Sequence, residues 1–169
     1  MEIALNLGCG GETRFKNENG YRWINIDARG DIKPDRVLDC RILPFDNNSI
    51  IKIVAIHLLE HLPRHDAPRA IKEWYRVLKV GGCADIETPN FDLTIKEYLE
   101  GDATKKAIRV ENVYGRQFFE GDTHFWGYNF IRMKEILEFA GFQEITELFE
   151  YSYHQKFEPC LRVIAWKRK

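Results

Sequence analysis

The sequence predicts one α/β domain built on a mainly parallel β-sheet, and three observations support this prediction. Strand-like and helix-like apolar patterns alternate along most of the chain, which is typical of parallel sheets covered by helices on both faces. The length of 169 residues, with 44% hydrophobic and 30% charged residues, fits one globular domain. Glycines, acids and a histidine follow successive strands, where open α/β sheets bind their ligands. We therefore expect residues 1–169 to form a single domain with its site at the carboxyl edge of the sheet.

Seven strand patterns occur along the chain. The first is a short apolar run that ends at glycines, and the fourth is rich in β-branched residues, which favour buried strands. The last two are expected to pair antiparallel at one edge of the sheet. The predicted strands are residues 3–7, 23–27, 36–40, 50–56, 83–88, 142–149 and 161–166.

Capping residues and apolar spacing predict three main helices. Asp66 can cap the first of them, and the glycines at 81–82 are expected to end it. Asn90 and Asn129 are predicted N-caps of the other two helices, and Gly141 stands where a C′ glycine belongs. A shorter helix is expected to begin at residue 57 and to end before Pro63.

Composition and charge exclude several functional classes. Lys and Arg number 25 against 26 Asp and Glu, so no overall basic field favours nucleic acid or an anionic membrane. No apolar run approaches the roughly 20 residues of a membrane-spanning helix, and the first residues lack the pattern of a secretory signal. The four cysteines are far apart in sequence and form no metal or redox motif. We expect a cytoplasmic protein without a nucleic-acid or membrane partner.

The residues that follow the first four strands predict an adenosine-containing ligand. Gly8 and Gly10 form a turn in which the missing Cβ lets the backbone approach a ligand. Asp27 ends the second strand, where an acid can accept from both hydroxyls of a ribose. Asp39 ends the third strand and could accept from an adenine amino group, and His57 ends the fourth.

The same stretch favours S-adenosylmethionine over a nicotinamide dinucleotide. A dinucleotide fingerprint requires a third glycine and a helix whose N-terminus holds the pyrophosphate. Thr13 occupies the third position, and residues 12–22 have poor helical periodicity. S-adenosylmethionine carries no phosphate and does not need that helix.

Five segments of the chain resemble motifs of the class I S-adenosylmethionine-dependent methyltransferases. The glycine turn resembles the first motif of this family, and the strand end at Asp27 resembles its ribose-binding acid. The resemblance implies a Rossmann-like seven-stranded sheet with an antiparallel last strand, a bound methyl donor and methyl transfer. The matching segments are residues 5–10, 25–27, 43–49, 57–62 and 73–82.

The resemblance also implies a donor site and an acceptor side. Within the family, the chain looks most like small predicted methyltransferases linked with polysaccharide modification, so a small-molecule or saccharide acceptor is expected. Residues 114–117 and 124–128 resemble the acceptor-side loop of those proteins, and the stretch 101–128 is expected to be an elaborated loop on that side. The expected donor-binding residues are Gly8, Cys9, Gly10, Asp27, Asp39, Cys40 and His57.

Two departures from the family pattern bear on the donor site. The family usually carries helices before the first strand that help to close this site, whereas this sequence begins at the strand. The helix after the first motif also looks curtailed. These departures favour a homodimer that completes the donor site, or a catalytically silent binding module as the alternative function.

His124 is the candidate general base for an oxygen acceptor. Methyl transfer depends mostly on alignment, but a hydroxyl must also lose a proton, and imidazole titrates in a suitable range. The alternative is a histidine packed among neighbouring aromatic residues. The residues from His57 to His61 also fit a zinc-peptidase pattern, but no third ligand is evident in the sequence, so we expect no metal.

Overall fold

The computed structural model contains one seven-stranded sheet in the order β3-β2-β1-β4-β5-β7-β6. It describes residues 1–11, 15–149 and 158–169. Strands β1 to β5 pair in parallel, and β7 pairs antiparallel with both β5 and β6. The predicted fold class, including the single reversed strand, is confirmed. The strands are β1 (Glu2–Leu7), β2 (Tyr21–Asp27), β3 (Arg36–Val37), β4 (Ile50–Ile56), β5 (Leu78–Pro89), β6 (Gln143–Glu147) and β7 (Cys160–Trp166).

Four α-helices and one 3-10 turn connect the strands of the described chain. Asn90 and Asn129 cap their helices as predicted, because each side chain accepts from a backbone N–H three residues later. Gly141 ends the last helix in the left-handed conformation with a φ of 108°. Asp66 precedes the first helix but accepts from Arg41 instead of capping it. The helices are α1 (Ala67–Val77), α2 (Phe91–Glu100), α3 (Ala103–Tyr114) and α4 (Phe130–Ala140), and the 3-10 turn is Leu59–His61.

The main core lies between the sheet and the helices α1 and α4. Trp74 of α1 is fully buried there, and its indole N–H donates to the Cys40 carbonyl at 2.9 Å. The main core joins side chains of both helices to apolar residues of the sheet. A smaller cluster on other strand residues includes Ala4, Trp23 and Val54. No helix among the described residues is both long and apolar enough to cross a membrane.

Residues 101–128 correct the sequence prediction, because they contain the helix α3 rather than a loop alone. Asp102 caps α3 by accepting from the Lys105 N–H at 2.8 Å. Arg109 is the buried residue of this helix, and it pairs with Glu97 of α2 at 2.9 Å. An ion pair therefore links α3 to its neighbour, and apolar periodicity could not reveal this contact.

The end of α1 also differs from the prediction. The helix ends at Val77, four residues before the glycines at 81–82, and β5 begins at once with Leu78. Gly81 has a φ of 85° inside β5. The glycines therefore serve a bend within the strand rather than the end of the helix.

Candidate active site

A cleft of about 730 Å³ opens at the carboxyl edge of the sheet, within the usual size of small-molecule sites. Gly8 and Gly10 line it, with φ angles of 64° and 55°. A Cβ on Gly8 would come within 2.8 Å of Leu58. The first turn thus requires glycine both for its conformation and for the close approach of the segment after β4.

The Asp27 carboxylate links the glycine turn to the segment after β2. One carboxylate oxygen accepts from the Gly10 N–H at 3.0 Å, and the other accepts from the Arg29 N–H at 2.9 Å. Each oxygen keeps a second lone pair, so the carboxylate can accept from a ligand hydroxyl as well. The side chain is therefore oriented in advance for a ribose diol.

Asp39 and Cys40 line the same cleft on the far side of Asp27. Arg41 donates to both oxygens of Asp39 and also pairs with Asp66. This guanidinium holds the pKa of Asp39 below its usual value through hydrogen bonding, although partial burial opposes the shift. Burial raises the pKa of the Cys40 thiol to about 12, which makes it an inert apolar neighbour rather than a nucleophile.

His57 lines the cleft at the end of β4 and has a left-handed backbone with a φ of 49°. Its ring lies among acids, with Nδ1 3.1 Å from Glu60 and Nε2 3.6 Å from Glu87. Burial by itself would lower the pKa of His57, but hydrogen bonding to Cys160, Glu60 and Glu87 outweighs it and raises the pKa well above its usual value. A protonated ring therefore ends β4 beside the cleft.

Cys9 is the one residue of the predicted donor set that does not line the cleft. Its side chain is fully buried, and its backbone N–H donates to the Ile26 carbonyl at 3.0 Å. Cys9 thus ties the glycine turn to β2. Its part in donor binding stays a prediction, as do the roles of the residues that do line the cleft.

A second group of titratable side chains lies beside the cleft, and it consists of Glu60, His61 and His124. One ligand atom of each lies within 4.8 Å of the others. The two imidazole rings meet edge to face with their centroids 4.8 Å apart. The zinc-peptidase pattern links Glu60 and His61 only with His57, because nothing in the sequence shows that His124 lies against them.

Glu60 is the most deeply buried member of this group. Its side chain is 2% exposed; Oε1 pairs with Nδ1 of His57 at 3.1 Å, and Oε2 has no hydrogen-bond partner within the described ranges. Burial raises the pKa of this carboxyl, but contact with His57 and the charges of the nearby histidines reverse the effect and hold the pKa below its usual value. A buried carboxylate, with one oxygen paired to His57 and the other without a donor, thus lies inside the protein.

A small cavity of about 10 Å³ adjoins this group, which is room for roughly one water molecule. Glu60 and His124 line it, together with Trp126 and Thr94. The Thr94 hydroxyl is also buried without a hydrogen-bond partner in the part of the chain that the structure describes. His61 faces the large cleft instead, so the group separates the cleft from the cavity.

Residues 5–84 match a family model described as a methyltransferase domain. This segment contains the glycine turn, Asp27, Asp39 and His57, and the strand order around it is that of the class I methyltransferase fold. The family model matches 80 of the 169 residues, and the fold of the chain is that of the S-adenosylmethionine-dependent methyltransferases. The cleft fits the donor, because its glycine turn, its oriented carboxylate and its volume meet the needs of a nucleoside with an amino-acid tail.

Solved structures have the same fold. A SAM-dependent methyltransferase from Archaeoglobus fulgidus is 17% identical, with a TM-score of 0.69, covering 98% of this chain and 86% of its own. A SAM-dependent methyltransferase from Methanosarcina mazei is 21% identical, with a TM-score of 0.69 and coverages of 98% and 92%. No curated protein matches the sequence.

A third structure contains the donor itself. Phosphoethanolamine N-methyltransferase 2 of Haemonchus contortus, in complex with S-adenosyl-L-methionine, is 14% identical with a TM-score of 0.65. The match covers 99% of this chain and 49% of that one. The methyltransferase domain model and the shared fold support the prediction of an S-adenosylmethionine-dependent methyltransferase, while the polysaccharide-modification subtype stays a prediction.

Proposed function

We propose that this protein is an S-adenosylmethionine-dependent methyltransferase that transfers a methyl group to an oxygen of a small-molecule or saccharide acceptor. The observation that carries the proposal is the position of the Glu60, His61 and His124 group between the donor cleft and the small cavity. A methyl group delivered from the cleft and a hydroxyl entering from the cavity would meet beside a histidine. Residues 1–169 would act as one domain, with residues 101–128 on the acceptor side.

On the donor side, each residue has a defined task in this proposal. Bound S-adenosylmethionine would supply a methyl group on a sulfonium. The thioether is a good leaving group, so the methyl group needs no further activation. Gly8 and Gly10 admit the amino-acid part of the donor, Asp27 accepts from its ribose, and Asp39 accepts from its adenine edge. The Arg41 guanidinium already donates to both carboxylate oxygens of Asp39. We therefore expect Asp39 to contribute less to donor affinity than Asp27.

On the acceptor side, His124 takes the proton. Its Nδ1 lies 2.9 Å from the Asn112 carbonyl, so Nδ1 carries the hydrogen and Nε2 keeps its lone pair. Burial lowers the pKa of His124, and the charge of Glu60 only partly opposes this. The ring is therefore neutral near pH 7 and able to accept, and the buried Glu60 carboxylate then stabilises the imidazolium that forms.

The size of the cavity limits what can enter it. With room for about one water, it admits the reacting hydroxyl but not the body of an acceptor. Exposed aromatic side chains lie near this position, with Phe119 in the wall of the cleft and Phe125 next to His124. Aromatic faces of this kind suit the apolar face of a sugar ring, which supports a saccharide acceptor outside the cavity.

His124→Gln tests this assignment against His65→Gln, a control at an exposed histidine outside the group. We expect His124→Gln to bind S-adenosylhomocysteine normally and to transfer methyl groups roughly 10²–10⁴-fold more slowly to a hydroxyl acceptor. Methyl release over a panel of sugars, amines and thiols, with titration calorimetry for the donor product, measures both.

Three outcomes of this experiment separate the possible functions. A fully active His124→Gln variant would contradict the base role. Transfer to amines or thiols alone would contradict the oxygen acceptor. Donor binding without turnover on any acceptor would favour the catalytically silent binding module.

A further inference from the structure

We propose that Glu60, His61 and His124 form a binding site for one divalent transition-metal ion, for which zinc is the best fit. Two imidazoles and one carboxylate are a common zinc ligand set that leaves a fourth position open. Their ligand atoms lie within 4.8 Å of one another. Ligand atoms on one zinc ion are about 3.4 Å apart. Side-chain rotations that move the ligand atoms by about 1 Å would therefore complete the site.

The two histidines are already oriented as zinc ligands usually are. A metal-binding imidazole normally donates its other ring N–H to a backbone carbonyl or carboxylate, which fixes its tautomer. Nδ1 of His124 lies 2.9 Å from the Asn112 carbonyl, and Nδ1 of His61 lies 3.2 Å from the Thr123 carbonyl. Both rings therefore carry their hydrogen on Nδ1 and leave the Nε2 lone pair for a metal.

The carboxylate supplies a second, independent observation. Glu60 is buried; its Oε1 pairs with Nδ1 of His57 at 3.1 Å, whereas its Oε2 has no hydrogen-bond partner among the described residues. A buried carboxylate oxygen without a donor is costly unless a cation or a further donor satisfies it. Thr94 lines the same cavity with an unpartnered hydroxyl, which is suited to hold a water on the open position of the metal.

A neighbouring group makes a weaker competitor. His57, Glu158 and Cys160 also place ligand atoms within 4.8 Å of one another. Glu158 already accepts from Asn112, and the His57 ring is shared among Glu158, Glu87 and the Glu60 carboxylate of the proposed site. The competing group nevertheless sets the control, because only it contains a thiol.

This inference rests on the fold for binding and on the proposed function for its consequence. A zinc ion would occupy the Nε2 lone pair that the proposed function assigns to proton removal. The zinc-loaded protein should therefore lose methyl transfer to hydroxyl acceptors and regain it when a chelator removes the metal. Binding and inhibition can be measured separately.

The binding test uses tag-free, EDTA-treated protein and zinc chloride in titration calorimetry. We expect one ion per chain, and at least a roughly 100-fold loss of affinity in His61→Ala and in His124→Ala, since even outer-shell changes typically cost 10–100-fold. His65→Ala and Cys160→Ser should bind as the wild type does. Circular dichroism and S-adenosylhomocysteine binding check that each variant is folded.

Cobalt(II) provides a readout that needs no variant. The wild-type protein should show the visible bands of a four- or five-coordinate ion with nitrogen and oxygen ligands. No zinc binding by the wild type, unchanged affinity in both histidine variants, or a cobalt–thiolate charge-transfer band that Cys160→Ser removes would overturn the assignment. If zinc binds as expected but full turnover persists, the inhibitory consequence and the base role of His124 fail together, whereas the metal site stands.

Discussion

Replacing Asp27 by asparagine should weaken donor binding far more than the same change at the neighbouring acid Asp31. The carboxylate accepts from Gly10 and from Arg29, whereas an amide can accept through its one oxygen and turns an NH₂ toward the second donor. One backbone N–H then loses its partner, which costs about 1–3 kcal/mol. For a chain of this size we expect a fall in Tm of roughly 2–4 °C per kcal/mol.

The effect on the donor adds to this loss. In the proposed function, Asp27 accepts from two ribose hydroxyls, and each hydrogen bond to a charged group contributes about 1.5–3 kcal/mol. Losing most of both gives about 3–6 kcal/mol, which is a change in Kd of roughly 10²–10⁴-fold. Titration calorimetry with S-adenosylhomocysteine measures this directly.

Asp31→Asn is the matched control for this change. Asp31 lines the same cleft but is 68% exposed, and it pairs with Arg29 at the surface. Exposed ion pairs contribute about 0–1 kcal/mol, so its Kd should change by less than about fivefold. If Asp27→Asn binds the product within about threefold of the wild type, the ribose assignment is wrong.

Two further changes test the turn and the packing of the fold. Gly8→Ala places a Cβ 2.8 Å from a side chain at a φ of 64° and should abolish tight donor binding, whereas Gly11→Ala meets nothing within 4 Å and should bind normally in the same calorimetric assay. Lys167→Met removes a buried ammonium that donates to the Tyr75 and Leu78 carbonyls and to Asn48. We expect the free energy of unfolding to fall by about 2–4 kcal/mol, and Tm by roughly 5–15 °C. Thermal unfolding measures this change, and Lys169→Met should show no comparable one.

The sheet and the glycine turn were predictable because their signals are local. Alternating strand and helix patterns follow from burial on regular elements, and the positive φ angles of Gly8 and Gly10 require residues without a Cβ. The position of Asp27 at the end of a strand predicted that it faces the site at the edge of the sheet, and it lines the cleft there. In each case, neighbours along the chain carry the information.

Helix α3 shows where local signals fail. Its buried side chain is Arg109, which pairs with Glu97 across the α2–α3 contact. A helix held by an ion pair has no apolar stripe that a periodicity analysis can find. Only the packing of α2 against α3 brings Glu97 to Arg109.

The group of Glu60, His61 and His124 depended entirely on tertiary structure. His57 and His61 suggested a metal site in the sequence, but the fold turns these two rings to different partners and brings His124 to His61 instead. The loop that carries His124 is docked by backbone hydrogen bonds, with the Phe125 N–H 2.7 Å from the Glu60 carbonyl. Every residue except proline has the same backbone groups. A contact made by the backbone therefore cannot be predicted from the types of the side chains.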